Sequence, residues 1–296
     1  MSPTAGPGER RQAVLGACVL EAPPGLEVHL RRLAERAAPL LPRIEASLGV
    51  RAAAPYRIVL IPRDPSGDPE IAALDGLAPP WAAGFILPHR RLGGIRVARA
   101  DRYPYSDLAS VLVHEATHML LFDGAGDRLP RWFGEGVATG LEREWGLRDI
   151  LVYSSSLLTG PLPPLADLDA AFDGGDARAR AAYAAAFDFL RATVSRHGRS
   201  VVADVVRQAA SRPFDEAWRA ATGVSLRRSE ADWRRGSLVL YRWIPALTGS
   251  GALWGAITLM ALAAMTRLRA RRRAVLERWE MEERLAADRD QEGGTR

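Results

Sequence analysis

The spacing of apolar positions changes about a third of the way along the chain. Residues 1–12 show no apolar period and read as a disordered start rich in Pro, Gly, Ser and charge. Residues 13–20 and the run 56–61 (YRIVLI) are short and apolar, as strands are, and 84–87 and 95–98 read as two more. Residues 26–48 repeat at helical spacing, with Pro39 and Pro42 interrupting the run. From residue 107 the period is helical, over 107–123, 133–145, 178–197, 201–210, 214–221 and 229–237. Residues 62–80 are loop-rich, and 146–177 form a Pro/Gly-rich connection. Strands first and helices second predict one α+β domain over 13–237, a small sheet beside a helical part.

A different pattern follows. No charge falls between Trp243 and Thr266, and at about 1.5 Å per residue such a run can cross about 30 Å of hydrocarbon. Trp243 stands at one end, and Arg267, Arg269, Arg271, Arg272 and Arg273 follow the other. The pattern predicts a single-pass transmembrane helix over 243–266. By the positive-inside rule the charged tail 267–296 is cytoplasmic and the large domain extracytoplasmic. Export needs a signal, and the apolar run 13–20 is too short for one, so either a longer start exists or the domain faces the cytoplasm.

Composition narrows the classes. An apolar content of 48% and a charged content of 25% belong to a globular protein. The formal charge of +5 comes entirely from arginine. Most arginines are scattered among acids, which argues against a nucleic-acid partner. Cys18 is the single cysteine, so no internal disulfide framework exists.

The chemistry lies in VLVHEATHMLL. Ser106 can cap this helix, Asp107 suits its positive end and Gly124 can end it. His114 and His118 are four residues apart, so both imidazoles leave one face and can share a metal ion. Glu115, one position on, can reach a water on that metal as a general base. Such a site needs a third protein ligand and an open position. Glu135, on a second helix entered at Pro130, is the donor in reach once that helix folds back. Gly134 and Gly136 flank it, which suits a close helix–helix approach. Trp132 reads as packing beside the site. Glu142 and Glu144 read as solvated acids, and His29 and His89 as surface residues.

HEATH followed by LPRWFGEGVAT resembles the peptidase MA-like gluzincins, zinc metallopeptidases with HExxH on one helix and a Glu in an E-G-x-A context on the next. Trp81-Ala82-Ala83-Gly84-Phe85 is similar to the W-x-x-G segment before the active helix of that family, and residues 182–233 to its helical C-terminal half. The resemblance implies a zincin (thermolysin-like) fold with a small mixed sheet, and a membrane-anchored hydrolase acting on peptides or proteins. It implies Zn2+ on His114, His118 and Glu135, with Glu115 as base. Tyr183 matches a family tyrosine that would help the oxyanion, with His197 a second candidate for that role. A non-catalytic binding or assembly module on the same scaffold is the alternative. Residues 95–98 alternate Ile and Val with Arg and Ala, as an edge strand that receives an extended peptide does, or as an ordinary charge-protected edge does.

Overall fold

Short apolar runs become a sheet here because tight turns and bare backbone let them pair. A computed structural model describes residues 10–100, 107–142, 163–248, 255, 258–260, 262 and 264–269. The run read as one strand at 13–20 is a hairpin of β1 (Arg11–Leu15) and β2 (Cys18–Ala22), with Leu15 opposite Cys18. Gly16 turns the chain at φ +56°, a left-handed conformation that a Cβ would strain. β3 (Tyr56–Ile61) lies parallel to β2, and β5 (Leu92–Arg96) parallel to β3. β4 (Gly84–Leu87) closes the sheet antiparallel to β5, giving the order β1-β2-β3-β5-β4.

The edge strand beside the helices is therefore β4. Residues 95–98 do not form it: Ile95 and Arg96 end an interior strand, and Val97–Arg99 is a 3-10 turn. Gly93 and Gly94 explain the interior place. A Cβ on Gly93 would stand 2.6 Å from Ile86 Cδ1, and one on Gly94 2.7 Å from Ile61 Cδ1. Arg96 is not a protective surface charge either. It is buried, its Nε donates to Asp75 Oδ1 at 2.6 Å, and its other nitrogens donate to the carbonyls of Asp75, Ala78, Pro79 and Ala82.

The helices are α1 (Glu27–Ala37), α2 (Leu41–Leu48), α3 (Pro69–Asp75), α4 (Leu108–Ala125) and α5 (Arg131–Glu142), then α6 (Leu165–Ala171), α7 (Asp176–His197), α8 (Val201–Ala209), α9 (Phe214–Thr222) and α10 (Leu226–Thr248). The break between α1 and α2 falls at Pro39, and Pro42 sits in the first turn of α2, where its missing N–H is tolerated. α3 lies inside the expected loop 62–80, because Asp68 caps it by accepting from the amides of Glu70 and Ile71. α6 lies inside the expected connection 146–177. Residues 143–162, Trp145 and Glu144 among them, lie outside the described residues.

α4 is buried on nearly every side, between β4 and β5 and the helices α1, α2, α5 and α8. Its cap is Asp107, whose Oδ1 accepts from Ser110 N at 2.9 Å while Ser110 Oγ accepts from Asp107 N at 3.2 Å. Ser106, the expected cap, lies outside the described residues. Gly124 does not end the helix. It is small because a Cβ there would stand 2.7 Å from Val206 Cγ1 and 2.8 Å from Val50 Cγ2, and Gly126 at φ +62° ends it instead. Asp123 ties this end to the sheet. It accepts from Arg91 and Tyr56 Oη and from the Ala53 amide, and the Arg91 guanidinium covers the Tyr56 ring at 3.9 Å.

The membrane span expected at 243–266 is overturned. Among the described residues no helix is long and apolar enough to cross a membrane. Residues 243–248 are the last turns of α10, which carries Arg227, Arg228, Glu230, Asp232, Arg234 and Arg235. Charges at those positions make α10 a poor hydrocarbon span. Residues 249–254, 256–257, 261, 263 and 270–296 lie outside the described residues. The single-pass placement, with its extracytoplasmic domain and cytoplasmic tail, rested on that span and falls with it. The chain divides into two units, Met1–Leu238 and Val239–Arg296, and the sheet and the cluster of His114, His118 and Glu135 belong to the first.

Removing the Asp123 carboxylate should be expensive, because it leaves the half-buried Arg91 charge and the Tyr56 hydroxyl short of a partner. Asp123→Ala is expected to lower the unfolding free energy by about 2–4 kcal/mol, read as a lower urea midpoint at unchanged slope. A loss below about 1 kcal/mol would show that Asp123 does not anchor α4.

Candidate metal centre

His114 and His118 leave α4 one turn apart, and their Nε2 atoms stand 3.2 Å from each other. Glu135 on α5 brings its Oε2 to 3.3 Å from His114 Nε2 and 3.4 Å from His118 Nε2. The three residues that the sequence singled out thus meet, and the group could hold a metal ion. His114 and Glu135 are buried, while the His118 side chain is 22% exposed and opens the group to a cleft.

Backbone packing makes the meeting possible. Glu135 sits between two glycines that face different neighbours. A Cβ on Gly134 would touch His118 Nδ1 at 3.4 Å, and one on Gly136 would stand 2.8 Å from the Ala186 carbonyl on α7. α5 is therefore pressed between α4 and α7. Its first turn is fixed by Asp169 of α6, which accepts from Trp132 N at 2.7 Å and from Arg131 N at 3.2 Å. Trp132 does not line the cleft. It packs edge-on against Phe189, Phe214 and Trp218, and this aromatic cluster fastens α5 to α7 and α9.

Glu142 was read as a solvated acid, and the structure corrects this. Its side chain is 1% exposed, and its Oε2 lies 2.6 Å from His114 Nδ1. The contact orients the ring: Nδ1 faces the Glu142 carboxylate, and Nε2 faces His118 and Glu135. The signal was present in the sequence, since Glu142 lies two turns after Glu135 on the same face of α5.

Glu115 is buried on the neighbouring face of α4 and lines the same cleft. Strand β4 comes so close that a Cβ on Gly84 would stand 2.7 Å from Glu115 Oε1 and 2.7 Å from Val111 Cγ1. Burial pushes the Glu115 carboxyl above its ordinary pKa against the pull of His114 and His118. Burial pulls His114 down, but its hydrogen bonds to Glu135 and Glu142 overcome this and raise it well above 6.5. Burial would raise Glu135, but His118 and His114 hold it well below the usual carboxylate range.

The cleft encloses about 690 Å³. Its floor is α4, one wall is β4 with the segment from Pro79, and the other is α5 with α7. Tyr183 of α7 lines it, with its ring centroid 6.5 Å from that of His114 and its edge against Phe172. Burial, with the Glu135 carboxylate nearby, pushes Tyr183 well above its ordinary pKa and keeps the hydroxyl a donor. His197, the other oxyanion candidate, ends α7 and does not line the cleft. His29 is exposed. His89 is exposed too, but it has partners that its spacing hid: Asp127 at 3.2 Å and the Phe122 ring edge-on at 4.7 Å.

β4 offers its free edge to this cleft. Arg96 N donates to Ala83 O, so Phe85 and Leu87 take the paired positions against β5. The N–H and C=O groups of Gly84 and Ile86 then point away from the sheet.

No protein-family model matches this chain, and no curated protein matches it significantly.

If Glu142 sets the His114 ring, its loss should weaken metal binding without removing a ligand. Glu142→Ala is expected to lower metal affinity about 10- to 100-fold in chelator competition, with Glu142→Gln recovering part because its amide oxygen still accepts. Equal affinity in the wild type and a folded Glu142→Ala protein would take Glu142 out of the site.

Proposed function

We propose that this chain is a zinc-dependent metallopeptidase, with His114, His118 and Glu135 as ligands and Glu115 as general base. The observation that carries the reading is the spacing of the three donor atoms, 3.2, 3.3 and 3.4 Å apart. Donors bonded at about 2.0–2.1 Å in a tetrahedral site stand about 3.3–3.4 Å from one another, which is the spacing found. Two imidazole nitrogens and one carboxylate are also a donor set that suits Zn2+ and leaves a fourth position open. The charges point the same way, because the side chains of Glu115, Glu135 and Glu142 are three buried carboxylates, and a divalent cation at the triad would offset two of their charges.

Zinc in such a site supplies Lewis acidity, which makes water a nucleophile near neutral pH and polarises a carbonyl. The residues do the rest. Glu115 takes the proton from the attacking water and passes it to the leaving amine. The Tyr183 hydroxyl donates to the oxygen that gains charge. An extended peptide pairs with the outward groups of Gly84 and Ile86, which brings its backbone past Glu115. The resemblance to peptidase MA-like gluzincins, seen in HEATH and in GEGVA, supports the same reading.

Metal analysis and turnover together test it. Glu115→Gln should keep stoichiometric zinc and lose peptide hydrolysis by about 10²-fold or more. Unchanged turnover would remove Glu115 from the mechanism. Glu135→Ala should lose the metal itself, since one of three protein ligands is gone. Full zinc occupancy in that variant would sink the ligand assignment. Zinc bound without hydrolysis of any peptide would favour a binding module on the same scaffold.

A further inference from the structure

The cleft differs from one end to the other. Gly84 of β4 turns its missing side chain toward Glu115 and Val111. Alternate strand residues share a face, so Ile86, which also lines the cleft, lies on that side of β4 two residues further on. Leu121 and Phe122 follow His118 by three and four residues and continue its face of α4 beyond the ligand group. Pro88 carries on the wall after β4, and Leu129 and Pro130, in the turn from α4 to α5, complete this end. All six residues are apolar. Leu121 is buried and the other five are half-buried, so apolar surface still faces the opening. The charges nearby are turned elsewhere. Asp127 faces His89 at the exposed rim, and Arg131 reaches Asp173 at 3.0 Å and lies 3.5 Å from Glu135. A charged side chain entering here would give up hydration against carbon, whereas an apolar one would leave water on both partners.

We propose that this end of the cleft is a subsite for a large apolar side chain, such as Phe, Leu or Met, at one fixed position beside the bond that is cut. The inference rests on the hydrolase reading above and adds a substrate class to it. The edge of β4 supplies the register. A peptide paired with the outward groups of Gly84 and Ile86 turns alternate side chains toward α4, and the one lying beyond His118 meets Ile86, Phe122 and Leu129.

The test uses the full-length, zinc-loaded protein and a mixed library of end-blocked peptides read by mass spectrometry. Phe, Leu and Met should be enriched at one position next to the cut, with Asp, Glu, Lys and Arg depleted there. Between peptides that differ only at that position, Phe should exceed Ala by about 10- to 100-fold in kcat/KM, the effect of burying such a side chain. A second readout does not depend on turnover: Glu115→Gln protein binds the same Phe and Ala peptides, fluorescently labelled, and the ratio of affinities should hold as salt rises. Leu129→Trp fills the subsite and Leu129→Ala strips a wall from it. Each should shrink the Phe-to-Ala ratio at least five-fold, and the two are checked for unchanged circular dichroism and zinc content. Cleavage with no apolar preference at any position overturns the inference and leaves the hydrolase reading standing. A preference of full size in both folded variants overturns the assignment to this end of the cleft. No cleavage of any peptide by the zinc-loaded wild type overturns the hydrolase reading and this inference with it.

Discussion

Three lone-pair atoms on two separate helices must come within 3.4 Å of one another, and the packing around them follows from that demand. Nitrogen and oxygen atoms so close repel unless a proton or a cation lies between them. The arrangement therefore has to be held by surrounding structure. Two glycines flank Glu135 because α5 is squeezed between α4 and α7, and a side chain at Gly136 would collide with the Ala186 carbonyl. Glycine inside a helix is destabilising by about 1 kcal/mol against alanine, so the approach must return more than that. The aromatic cluster around Trp132 and the Asp169 cap are where it does so.

The two sides of the centre are held by different means. α4 is locked into the core on nearly every side, with Asp123 joining its far end to β3 through Tyr56 and to the turn before β5 through Arg91. α5 is amphipathic and depends on its neighbours. Glu142 crosses between them, since it belongs to α5 and its partner His114 belongs to α4. A single carboxylate thus fixes a ring rotamer and the register of two helices. Its burial at 1% side-chain exposure makes the contact strong, because water does not compete for Nδ1.

The site was more legible in the sequence than its supports were. His-Glu-x-x-His on an apolar helix carries its own geometry, because helical spacing alone puts His114 and His118 on one face. Glu135 could be found by asking for a third donor on the next helix. Glu142 was missed because an acid at the end of a helix is usually solvated, and only the fold-back of α5 over α4 buries it. The strand pattern gave the runs but not their order. Residues 95–98 looked like an edge because Arg96 interrupts the apolar positions, whereas its guanidinium is sequestered among Asp75 and four carbonyls. The uncharged run at 243–266 misled for a related reason. Hydropathy ignores where a helix begins, and α10 enters that run already carrying a set of charges.

Gly84 links the sheet to the chemistry. Its outward N–H and C=O lie on the free edge of β4, and its missing side chain lets Glu115 Oε1 sit against the strand. A peptide that paired with this edge would be aligned by the same residue that borders the proposed base. Any Cβ at position 84 would have to displace the buried Glu115 or Val111, so strand and base cannot be tuned separately. Strand β4, Glu115 and the group of His114, His118 and Glu135 are then packed together around α4. Around it lie the rim segment held by Arg96, the turn carrying Arg99 and the face of α7 that presents Tyr183 to the cleft.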